Sequence, residues 1–175
     1  MSDLGVGHRV RQFARALGAN TDRRRSFNLS EYLDPPQLEL FYSMSRTDRL
    51  HSIAVFKSLR ESGRTELPLL QAALLHDVGK AIGPVRIWHR VIAVLLNAVN
   101  PRVLARLDQK PGTWRYPLFV YSRHAPLGAE LARRAGCSPQ VVWLIAHHEH
   151  RSWANASRRG MSSLLRALQA ADEAN

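Results

Sequence analysis

Seven side chains combine types and an order suited to metal chemistry: His51, the pair His76-Asp77, His124, the pair His147-His148, and Asp172. Imidazole nitrogens and carboxylate oxygens are good ligands for hard or borderline divalent ions. The chain has one cysteine, Cys137, so no thiolate cluster competes with them. Each of the seven has a plain account when taken alone. His51 is a polar spot on an amphipathic helix, and Asp77 caps a turn beside a His76 bonded to backbone. His147 and His148 are cations at a helix C-terminus, where the dipole favours them. Asp172 is a solvated residue near the chain end. Their joint occurrence outweighs those separate accounts.

The elements that must carry these residues read as helices. Val10–Leu17 is basic and amphipathic and stops at Gly18. A polar loop follows over Thr21–Ser30. Asp34 before Pro35-Pro36 is a helix start, because an aspartate accepts orphan N–H groups and proline costs nothing in the first turn. Thr47 or Asp48 can cap the next helix, apolar at Leu50, Ile53, Ala54, Phe56 and Leu59 and ended by Gly63. Pro68 opens an apolar run to Asp77 that breaks at Val78-Gly79-Lys80. Val85–Val99 is a long segment closed by Pro101. Leu127–Ala135 is helical and ends at Gly136, and Ser138-Pro139 starts a helix through His148. Ser162 or Ser163 starts the last. Asp108–Arg123, with Pro111, Gly112 and Pro117, is the least regular stretch and a candidate lid. No alternating strand pattern occurs, so the expectation is an all-α, compact multi-helix bundle with ligands converging from several helices.

Charge and composition exclude several classes. The chain has 175 residues, 45% of them hydrophobic, which fits a compact fold rather than disorder. The formal net charge of +11 points first to nucleic acid. However, 22 of the 25 basic residues are arginine, and they are scattered. No zinc-finger spacing, aromatic RNA-binding motif or continuous basic helix is present, so a nucleic-acid partner is not expected. The start lacks a basic segment followed by an apolar one, and no apolar run approaches a bilayer span. A cytoplasmic protein without a membrane span is the expectation. Oligomeric state is not legible.

The order of the motifs resembles the HD superfamily of metal-dependent phosphohydrolases. The carriers are His51, then His76-Asp77 inside Ala-Ala-Leu-Leu-His-Asp-Val-Gly-Lys, then Asp172 inside Ala-Ala-Asp-Glu. His124-Ala-Pro-Leu-Gly128-Ala129 is similar to the segment by which some members hold a second metal. His147-His148-Glu149 resembles the His-His-Glu of the HD-GYP cyclic-dinucleotide phosphodiesterases, but Ser152-Trp153-Ala154-Asn155 follows and the Gly-Tyr-Pro signature is absent. The order also resembles small HD hydrolases of dinucleoside polyphosphates. Residues 46–175 would form the HD domain, and residues 1–45 an N-terminal helical extension packed on it.

The resemblance implies one or two divalent ions (Mn, Fe, Mg, Zn or Ni). His51, His76, Asp77 and Asp172 would form the metal set, with Asp77 bridging to a second ion. That ion would take His124 and His147, with His148 as an additional or alternative ligand. Asp77 and Lys80 would be the catalytic residues, and Lys80, Arg123 and Arg86 would meet substrate phosphate. The implied activity is cleavage of a phosphoester or phosphoanhydride in a small phosphorylated substrate, a nucleotide above all. The alternative is a non-catalytic regulatory HD-like domain that binds a nucleotide or partner.

Overall fold

The computed structural model describes residues 28–83, 112–113, 116–149 and 159–175. The helices expected over Val10–Leu17 and Val85–Val99, and with them Arg86, lie outside these residues. Six α-helices and two short 3-10 turns occur among the described residues, with no strand. The all-α expectation holds.

After a 3-10 turn at Leu29–Glu31, α1 spans Pro35–Ser43. Asp34 is its N-cap, and its backbone N–H donates to the Gln37 side chain at 3.3 Å. Leu33, Phe41 and Met44 are buried in the same core as the later helices. Helix α2 spans Arg46–Glu61. Its cap is Ser45, earlier than the expected Thr47 or Asp48. The Ser45 hydroxyl accepts from the Asp48 N–H at 3.2 Å while donating to the Asp48 carboxylate, a reciprocal arrangement that satisfies the first turn. Gly63, at φ +83°, ends α2 with the bonds Gly63 N–H to Arg60 and Arg64 N–H to Leu59.

Helix α3, Leu67–Leu75, buries Leu69, Leu70, Ala72, Ala73, Leu74 and Leu75. A helix apolar on nearly every side belongs in the middle of a fold. It packs against α1, α2, α5 and α6. The chain then passes His76-Asp77 into a 3-10 turn at Val78–Ile82.

Helix α4 spans Tyr116–Arg134 and corrects the expected start at Leu127. The helix runs through Pro126, which lacks one N–H and sterically opposes an interior helical position. Pro126 itself is exposed, while Leu118, Val120, His124, Ala125, Gly128, Ala129 and Ala132 are buried along the opposite side. Tertiary burial therefore outweighs the local penalty. Tyr116–Arg123 is thus the first part of a packed helix, not a loop that could serve as a lid. Gly136, at φ +77°, closes α4 in the same way as Gly63 closes α2. Helix α5 spans Pro139–His147, capped by Ser138, and α6 spans Arg159–Ala174, beginning before Ser162. Leu165, Leu168 and Ala171 form its buried stripe. Cys137 is free and buried, with its thiol pushed up to about 11 by that burial. No described helix is long and apolar enough to cross a membrane.

The turn after Asp77 is pressed directly on α4. A Cβ added at Gly79 would stand 2.0 Å from the His124 carbonyl oxygen and 2.7 Å from the Gly128 N. Backbone cannot yield as a flexible side chain does, so Gly79→Ala is expected to cost about 3 kcal/mol or more, by the logic of overpacking. Gly63→Ala meets no atom within 4 Å and carries only the positive-φ strain, about 1 kcal/mol. Urea unfolding of both variants checks this; equal losses would refute the backbone contact.

Candidate metal centre

Five helices deliver chemistry to one interior point. His51 comes from α2, His76-Asp77 from the end of α3, His124 from the middle of α4, His148 from the end of α5, and Asp172 from α6. Two groups result, each with ligand-type atoms within 4.8 Å of one another: His51, His76 and Asp172, then Asp77, His124 and His148.

In the first group His51 Nε2 lies 2.7 Å, and His76 Nε2 3.4 Å, from the same Asp172 oxygen, Oδ1. In the second, His124 Nε2 lies 3.3 Å from Asp77 Oδ1 and 3.3 Å from His148 Nε2. Asp77 faces both groups, since its other oxygen, Oδ2, is 3.7 Å from His76 Nε2.

The ring orientations are set by backbone. His76 Nδ1 bonds the Ala73 carbonyl at 2.9 Å, His124 Nδ1 that of Tyr121 at 2.7 Å, and His148 Nδ1 that of Ile145 at 2.8 Å. A carbonyl only accepts, so each Nδ1 carries the hydrogen. In the neutral ring the lone pair then sits on Nε2, the atom aimed at the cluster. His76 Nε2 is buried with no hydrogen-bond partner. His124 Nε2 and His148 Nε2 stand 3.3 Å apart, a spacing at which two neutral rings with Nδ1–H would oppose their lone pairs without a cation between them. These orphaned and opposed acceptors fit a divalent ion, and so does the donor set of nitrogen and carboxylate oxygen.

The ionisation equilibria ask for the same positive charge. Burial opposes a proton on His76, but the Asp77 and Asp172 carboxylates overcome it and raise its pKa to about 9. Burial and the neighbouring His76 and His124 rings push His148 down to about 3, leaving it neutral. Burial works against ionised Asp77, yet Lys80, His76 and His124 hold its pKa well below the usual carboxylate range. Asp172 is likewise held low, against burial, by the bond from His51 and the charge of nearby His76.

The remaining expected residues fall around this core. Lys80 Nζ bonds Asp77 Oδ2 and lies 5.8 Å from the centre of the Tyr121 ring. Arg123 is exposed, one residue before His124, and Arg86 is outside the described residues. His147 belongs to neither group: its ring stacks on Trp143 at 4.5 Å and bonds the Trp143 carbonyl. The geometry thus brings His148 into the second group where the sequence placed His147 first. Two contacting residues carried no role in the sequence reading. Glu149 Oε1 is 3.6 Å from His124 Nε2, and the Gln169 amide donates to the His148 carbonyl at 3.0 Å. Gln169 precedes Asp172 by one turn on α6, a signal readable only once α6 is known to cross the end of α5.

Comparisons with curated proteins and with solved structures each returned no match. A protein-family model described as HD domain matches residues 50–174, a span containing all seven of the motif residues. It runs from the residue before His51 to just past Asp172, over most of the chain, and the chain belongs to the HD domain family.

Proposed function

We propose that this protein is a phosphohydrolase that uses two divalent ions to cleave a phosphoester or phosphoanhydride in a small phosphorylated substrate, with nucleotides as the favoured class. The observation that carries the reading is the convergence of His124 Nε2 and His148 Nε2, 3.3 Å apart, on buried Asp77 beside the group of His51, His76 and Asp172. His51, His76 and Asp172 would hold one ion, and His124 and His148 the other, with one oxygen of Asp77 toward each. A pair of ions so held supplies Lewis acidity, lowers the pKa of a water and clamps the attacking and leaving oxygens of a phosphoryl group.

The protein's own groups divide the remaining work. The backbone-bonded rings are oriented in advance, so little reorganisation is needed on binding. Lys80 steadies Asp77, and its ammonium, with a side chain still 13% exposed, is positioned to turn toward a phosphate oxygen. Arg123 and Arg86 are the proposed outer phosphate contacts. The +11 balance then attracts an anionic substrate to the pocket and has no DNA-reading role.

Three outcomes are expected. First, protein purified without chelator should contain divalent metal and hydrolyse members of a nucleotide and phosphoester panel with Mn²⁺ or Mg²⁺. Asp77→Asn should lose metal and at least about 10²-fold in turnover, whereas Lys80→Met should lose a similar factor with metal retained. An Asp77→Asn protein with full metal and full activity would rule the reading out. Second, each bound Mn²⁺ at 100 times its dissociation constant should stabilise the fold by about 2.7 kcal/mol in urea unfolding, and an unchanged midpoint would count against the site. Third, since His76 carries a proton up to about pH 9, ion uptake at pH 7 must expel it. Calorimetry in buffers of different ionisation enthalpy should register release of about one proton per chain; uptake without release would contradict the ligand role of His76.

A further inference from the structure

The two groups are unequally supplied with charge. The first has Asp172 to itself and a share of Asp77, while the second has two imidazoles and only its share of Asp77. All three residues of the second group are buried, so water can make up the difference only from the side where Glu149 stands. A divalent ion in such surroundings is strongly disfavoured unless a further anion reaches it.

One carboxylate stands at the open side of that group. Glu149 Oε1 is 3.6 Å from His124 Nε2, and the Glu149 side chain is 48% exposed where that of His124 is 3%. Resting on the two-ion reading above, we propose that Glu149 is a further carboxylate ligand of the second ion, closing its solvent side. Each ion would then have two histidines and two carboxylates: His51, His76, Asp172 and Asp77 Oδ2 for the first, His124, His148, Glu149 and Asp77 Oδ1 for the second.

Local structure makes this possible for consecutive residues. Within a helix, neighbours point about 100° apart and cannot serve one ion. Helix α5 ends at His147, so His148 and Glu149 occupy the turn that leaves it. The Glu149 carboxylate, half in solvent, swings about its own torsions at little cost. The peptide joining the two residues is fixed, because its carbonyl, that of His148, accepts from Gln169 at 3.0 Å. Gln169 is a positioning residue here, and it ties the second group to α6, the helix that supplies Asp172 to the first.

The test is Mn²⁺ titration by calorimetry, with metal analysis of the full chain after dialysis. Wild type should take up two ions. Glu149→Gln should keep the first with unchanged affinity and bind the second at least tenfold more weakly; Glu149→Asp should recover part of the loss. Gln169→Ala should also weaken the second ion alone, although it lies on the helix of Asp172. The melting of the ion-free variants should match wild type at Glu149, because that side chain is half exposed. Two ions bound at wild-type affinity by Glu149→Gln would overturn the role of Glu149 and leave the two-ion reading standing. Fewer than two ions in wild type would overturn both.

Discussion

Three of the histidines give one ring nitrogen to a backbone carbonyl three residues earlier, and the interior of this protein follows from that bond. Tying Nδ1 to the chain fixes the tautomer and the ring plane together. It leaves Nε2 of His76, His124 and His148 as the ring atoms turned toward Asp77 and Asp172. The Lys80 ammonium pairs with one of the two carboxylates there, Asp77. The raised pKa of His76 answers the demand of both, because the Asp77 and Asp172 carboxylates favour a positive charge there. On the proposed reading, a bound divalent ion would replace the His76 proton by a stronger charge at a geometry prepared beforehand.

Bringing rings from separate helices to that point requires close approaches that side chains would block. Gly79 lets the turn after Asp77 lie on the His124–Gly128 backbone of α4, so the carboxylate arrives beside the His124 ring. Helix α3 is buried on nearly all sides and fixes His76 relative to α5 and α6. The hydrophobic core is therefore also the positioning device: Leu74 and Leu75 pack immediately before His76-Asp77, and Leu144 and Ile145 shortly before His148.

The sequence was most informative where residue chemistry and spacing agreed. The helix ends at Gly63 and Gly136 follow from glycine's access to positive φ, and both appear as expected. The convergence of His51, His76, Asp77, His124 and Asp172 was readable from the order of motifs. The choice between His147 and His148 was not, because it depends on where α5 stops, and a single residue of helix rotates a side chain by about 100°. Helix α4 was also hidden. Pro126 reads locally as a break, while the burial that carries the helix past it comes from residues distant in sequence. The same holds for Glu149 and Gln169, whose contacts arise only when the end of α5 meets α4 and α6. Ser45 displaced Thr47 and Asp48 as a cap because its partnership with Asp48 is a three-residue pattern, not a property of one residue.

The central claim is that opposed nitrogens and a two-faced carboxylate exist to hold a pair of ions. Anomalous diffraction from crystals grown with Mn²⁺ tests it most directly. The account predicts two anomalous peaks about 3.5–4 Å apart, with Asp77 between them, one within bonding distance of His51, His76 and Asp172 and the other of His124 and His148. Absence of anomalous density at saturating Mn²⁺, with His124 Nε2 and His148 Nε2 still 3.3 Å apart, would contradict it.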